Sequence, residues 1–205
     1  MDLTTSGRFR VFDNPRESSS LLLVDVEPDD PDAADAYEPT SVAADGYEGD
    51  LAETVASLEP GNVVDATLTW TNGDARFESV AVETESAVEF VDGATNIFEA
   101  ATETWEAALA AGDGMNSRVT RDTDGDPNGV LYVFAEQEGA RDLFEEFRTG
   151  TLPLEPLIAR VNEGYEPGAR EVFVMRPAAH PFVLVYILLQ RGGMLSRTVR
   201  DTYDV

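Results

Sequence analysis

The sequence predicts a mixed α+β chain in two parts, and three observations carry the prediction. Short β-rich runs broken by turn residues dominate residues 1–91, whereas apolar stripes at helical spacing dominate residues 92–205. The run FVLVYILL at 182–189 is apolar on both strand faces, which places it at the centre of a sheet covered on each side. The 205 residues fit two compact units of roughly 100 residues each.

In the first part, Gly7–Asp13 and Ser19–Val26 are strand-like and joined by NPRES, a turn with Pro at its second position. The acidic stretch EPDDPDAADAYE reads as a solvated loop and leads to a third strand near Pro39–Ala44. Asp50–Leu58 reads as a short helix. Asn62–Trp70 and Ala75–Thr84 form a second hairpin around TNGD, where Asn and Gly accept positive φ. Ala87–Val91 reads as an extension of its last strand. The order strand, strand, strand, helix, strand, strand, with LEPGNVVDATLTW leading from the helix into a long strand, resembles the OB-fold over residues 7–91. The resemblance implies a five-stranded Greek-key barrel.

In the second part, Asn96 and Glu99 suggest a capping box, with Ile97, Ala101, Trp105, Ala108 and Leu109 as one apolar stripe of a helix over 96–111 that Gly112 ends. Val119 and Val130–Ala135 flank RDTDGDPNG as a hairpin. Ala140, Leu143, Phe144 and Phe147 give a helix over 138–149; Leu154, Leu157, Ile158 and Val161 give one over 154–163. Glu171–Met175 and Phe182–Leu189 are strands joined by RPAAHP. Met194–Tyr203 has no clean period and receives no assignment.

Forty Asp and Glu stand against 14 basic residues, all Arg, for a formal net charge of −26, and there is no Lys and no Cys. Such a surface stays hydrated in molar salt, where a Debye length of about 3 Å screens its self-repulsion. The expectation is a cytoplasmic protein of a salt-accumulating archaeon. A 42% hydrophobic share excludes an acidic disordered chain. MDLTTSGRFRVFD has no basic region followed by an apolar run, so no secretion signal is expected, and the longest apolar run falls far short of the roughly 20 residues of a bilayer span. Zero Cys excludes disulfides, thiolate zinc sites and cysteine nucleophiles.

The acid is unevenly placed. Glu27–Glu59 holds 11 acids and no base, whereas Val172–Arg200 holds four Arg and no acid. Burial accounts for the missing acid as far as Leu189, since an unpaired buried charge costs several kcal/mol. Beyond it, RGGMLSRTVR is free of acid without being apolar. The expected binding residues are therefore Arg176, His180, Tyr186, Gln190, Arg191, Gly192, Gly193, Arg197 and Arg200. The glycines would allow close backbone approach, and the guanidinium forks would hold phosphate or carboxylate. Internal pairing of these Arg with the abundant carboxylates is the competing account.

Other motifs carry less. DTDGDPNG alternates Asp122, Asp124 and Asp126, but an EF-hand needs Gly where Pro127 stands and Glu where Val133 stands, so a polar hairpin loop is expected. His180, the only histidine, accompanies no nucleophile elbow, and there is no P-loop or dinucleotide fingerprint. No cofactor and no metal is expected. Phe9, Phe12, Trp70 and Phe77 could stack single-stranded bases, against the repulsion of the acidic Glu27–Glu59 stretch.

The all-Arg, acid-rich composition with GNVVDATLTW and FVLVYILLQRGGMLSRTVRDTY resembles a haloarchaeal protein family of unassigned function. The resemblance implies the salt-rich cytoplasm and no catalytic residue. The function expected is that of a non-enzymatic binding or adaptor protein acting through the Arg-bearing carboxyl segment. Single-stranded nucleic-acid binding through the first part is the alternative, and an enzyme using carboxylates or His180 the third reading. The expected division is residues 1–91 and 92–205.

Overall fold

The computed structural model describes residues 3–136, 139 and 141–205. Among them lie five helices and two five-stranded sheets, a mixed α+β architecture. Contacts divide the chain into two units, Met1–Ser86 with Phe147–Pro156, and Ala87–Glu146 with Leu157–Val205.

The first unit contains β1 (Leu3–Asp13), β2 (Ser20–Asp25), β3 (Thr40–Ala43), α1 (Gly49–Ala56), β4 (Val63–Thr71) and β5 (Asp74–Thr84). Its strands are hydrogen-bonded in a closed ring, β1-β2-β3-β5-β4. The long β1 makes closure possible: Phe9–Asp13 pair with β2 while Leu3–Arg10 pair with β4. Alternation sends Phe9, Val11, Leu23, Val42, Val64, Ala66, Leu68 and Phe77 inward to one core, which Val55 of α1 joins. The β4–β5 turn has Asn72 and Gly73 at φ of 57° and 95°, the doubly positive geometry that a two-residue hairpin favours. Register shifts between Val63 and Val64 and between Thr67 and Leu68 add local twist. The segment Phe147–Pro156 returns to this unit through a buried Arg10–Glu155 pair, Nε to Oε1 2.7 Å and Nη2 to Oε2 3.0 Å.

The second unit contains β6 (Ala87–Ala94), α2 (Glu99–Ala111), β7 (Met115–Arg121), β8 (Pro127–Ala135), β9 (Glu171–Pro177), β10 (Phe182–Leu188) and α5 (Met194–Tyr203); α3 (Leu143–Arg148) and α4 (Glu155–Gly164) straddle the division. Strand order is β6-β9-β10-β8-β7, with β6 and β9 parallel and the other neighbours antiparallel. β10 is central, and all seven of its residues are buried. One face packs Leu131, Val133, Phe173, Met175, Phe182 and Leu184 with Trp105 and Ala108 of α2 and Val199 of α5.

Three local expectations change, and one unassigned segment takes a structure. Ala87–Val91 does not extend β5; it lies in β6 of the other sheet, because the Ala87 N–H donates to Arg170 O while Ser86 O accepts from Asn62. Asn96 does not cap α2: its φ is 55°, and the helix begins at Glu99 after Phe98, whose ring packs 5.3 Å from Tyr186. The helix expected over 138–149 is α3, from Leu143, with Glu138 and Ala140 outside the described residues. Met194–Tyr203 is helical, its amphipathic face burying Ser196 and Val199.

Candidate binding surface

The acid-free carboxyl segment falls into two groups at opposite ends of the β9–β10 hairpin, about 20 Å apart at the usual rise along a strand. Arg176 and His180 lie at the loop end. Gln190, Arg191, Gly192, Gly193, Arg197 and Arg200 lie where β10 turns into α5.

At the loop end Arg176 is engaged internally. Its Nε and Nη2 donate to the two oxygens of Asp92 at 2.7 Å, Nη1 donates to Asp142 at 3.0 Å, and the guanidinium lies 4.8 Å from the Phe144 ring. The Asp92 carboxylate above all, then that of Asp142, holds the guanidinium pKa above its ordinary value despite partial burial. His180 is exposed and stacks on Phe182 at 5.7 Å. Tyr186 is 3% exposed, its hydroxyl hydrogen-bonded to Thr120 Oγ1 at 2.8 Å, and burial pushes its phenol pKa up.

At the other end the anion is already present, supplied by the chain. Glu171 of β9 is 1% exposed. Its Oε2 accepts the Gly192 N–H at 3.1 Å, and its Oε1 accepts Arg200 Nε at 2.6 Å. Burial raises its pKa, but hydrogen bonds from Ser196, Gly192 and Arg200 outweigh that and leave it below the glutamate range. Gly192 reaches this contact at φ 68°, a conformation other residues rarely adopt. Arg200 Nη2 also donates to Glu89 at 3.0 Å. The carboxylate thus sits beside the start of α5, where the helix dipole favours negative charge.

What faces outward differs. Met194, the first residue of α5, is 80% exposed. Arg197, one turn on, is exposed, and its Nε donates to the Gly193 carbonyl at 3.5 Å. Gln190 is exposed, Arg191 half-buried and Gly193 the residue preceding the helix. Sequence reasoning missed Glu171, whose signal was its place immediately before the acid-free stretch, and it missed Met194, whose exposure required knowing that 194–203 is helical.

In the first unit Phe9, Phe12 and Phe77 are core residues at 6%, 2% and 4% exposure, and the Trp70 indole N–H donates to Thr5. A shallow cleft of about 580 Å³ crosses β1, β4 and β5, lined by Ser6, Arg8, Glu27, Asp65, Thr67 and Ser79 among others, without an aromatic ring. Arg8 bridges Glu27 and Asp65 there at 2.9 and 3.2 Å. In the β7–β8 loop Asp122 Oδ1 accepts the Asp124 and Asp126 N–H groups, a self-bonded turn. Among the described residues no group of three or more His, Asp or Glu is placed to hold a metal ion, and no helix is long and apolar enough to cross a membrane.

Residues 1–205 match a family model described as "Family of unknown function (DUF6663)". No curated protein and no solved structure matches the chain.

Proposed function

We propose that this chain, which belongs to that family of unknown function, is a non-enzymatic binding protein whose partner-facing surface is the Gln190–Gly193 turn and the outer side of α5. One observation carries the reading: Met194 stands 80% exposed one helical turn from exposed Arg197, inside a stretch without acid, on a chain of net charge −26. An apolar anchor beside a guanidinium is the kind of pair that protein interfaces concentrate. Arg200 serves this surface indirectly, by tying α5 to β9 and β6 through Glu171 and Glu89. The partner that fits is a protein presenting an apolar pocket flanked by carboxylate.

The ring order, with a helix between its third and fourth strands, supports an OB-type barrel for the first unit. Single-strand binding there is the weaker reading, because three of the four aromatics that would stack bases, Phe9, Phe12 and Phe77, are buried in the core and only Trp70 is partly exposed. The acid-rich, Lys-free composition supports a salt-rich cytoplasm as the working environment.

The test uses tagged wild-type chain, Met194→Asp/Arg197→Glu and, as a control on α2, Leu109→Asp, as baits in nuclease-treated lysate at about 2 M KCl. The wild type and the control are expected to retain a protein that the double variant loses by at least about tenfold. Identical captures by all three would overturn the reading.

A further inference from the structure

We propose that β7 is a self-association edge: two copies of this chain pair β7 with β7, antiparallel and centred on Ser117, joining their five-stranded sheets into one.

β7 is the outermost strand and bonds only to β8 within its sheet. The Ala135 N–H donates to Gly114 O, which fixes the alternation: Asn116, Arg118 and Thr120 direct their backbone groups to β8, and Met115, Ser117 and Val119 direct theirs outward. The side chains of those outward three share one sheet face and are exposed, Met115 at 44% and Val119 at 40%. The opposite face is occupied by α2, where Asn116 donates to Thr104 O and Arg118 to Glu103. The strand MNSRVTR has neither Pro nor Lys, two of the usual guards of a free edge. One guard is present: Asn116 Oδ1 accepts the Ser117 N–H at 2.8 Å. The outer bonds of Met115 and Val119 do not depend on its release.

Charge selects the occupant. Asp113, Asp122, Asp124 and Asp126 flank the edge, so a strongly acidic strand would be repelled, whereas β7 itself has no acid and carries Arg118 and Arg121. Charge also selects the register. Centring on Arg118 would set that residue against its own copy. Centring on Ser117 sets Met115 against Val119 twice, on the same face, and brings Arg121 of each strand alongside Asp113 of the other. This is the self-complementarity that a two-fold interface requires. Because each copy carries −26, the dimer should strengthen as salt screens the repulsion.

The chain has no cysteine, so Ser117→Cys reports the register directly. At the two-fold centre the paired Cα atoms would lie about 5.5 Å apart, within disulfide range. The expected result is a mass by light scattering that doubles with concentration at about 2 M KCl and falls back at low salt. Ser117→Cys should cross-link on oxidation, Ser79→Cys should not, and Ser117→Pro, which leaves the β8 bonds intact, should stay monomeric. A monomer at the solubility limit in high salt would overturn the proposal. So would a dimer in which Ser117→Cys fails to cross-link, and that readout does not depend on the proline variant folding.

Discussion

Glu171 and Arg200 lie 2.6 Å apart, Oε1 to Nε, with the carboxylate 1% exposed and the guanidinium continuing to Glu89 at 3.0 Å. The pair ties the start of β9 to the last turn of α5 and to β6. An arginine expected to meet a foreign anion instead holds one from its own chain.

Glu171→Gln should therefore loosen α5. Charged hydrogen bonds are worth about 1.5–3 kcal/mol each, and the variant keeps the shape while losing the charge. Because the folded carboxyl lies below its unfolded value, its contribution is present above the usual glutamate range and is lost as pH falls through the folded value. Denaturant unfolding at constant high salt should show wild type and variant converging as pH drops below that range. A gap independent of pH would refute this.

The Arg10–Glu155 pair has side chains only 5% and 6% exposed. Removing one member, as in Glu155→Ala, strands a buried guanidinium and should cost about 3–5 kcal/mol. Replacing both, as Arg10→Met/Glu155→Leu, should recover most of the loss. Thermal unfolding of the three chains side by side gives the comparison.

Gly150 has φ of 70°, and an added Cβ would approach Pro39 at 3.1 Å and Val24 at 3.3 Å. Gly150→Ala should destabilise by about 1–2 kcal/mol from backbone handedness alone. Chemical denaturation would read this as a lower midpoint with an unchanged slope.

Tyr186→Phe removes a hydroxyl bonded to Thr120, which keeps its bond to Asn128, so a loss of about 0.5–1.5 kcal/mol is expected. Burial raises the phenol pKa, so the stability it confers is intact below the ordinary tyrosine value and declines at higher pH. Burial also raises the phenols of Tyr37, Tyr47, Tyr132 and Tyr203, so ultraviolet titration should show one fewer late-ionising tyrosine in the variant than in the wild type.

Periodicity served the ring and β10 well, because each depends on a short-range pattern: the alternation of Phe9 and Val11, the positive φ of Asn72 and Gly73, the unbroken apolar run of 182–188. It failed where a distant partner decides. Ala87 could not show that its N–H would reach Arg170, and Arg176 could not show that Asp92 and Asp142 would converge on it. α5 escaped notice because its buried face includes Ser196, a polar residue whose partner Glu171 lies 25 positions earlier.

The return of Phe147–Pro156 to the first unit also bears on how the chain matures during synthesis. After Ser86 emerges, another 69 residues, 87 to 155, must follow before Glu155 can neutralise Arg10. At roughly 5–20 residues per second that is a delay of several seconds, during which the ring holds an uncompensated charge at its wall. The amino-terminal unit therefore cannot reach its final stability first. Its completion waits on β6, β7 and β8 of the second unit being made.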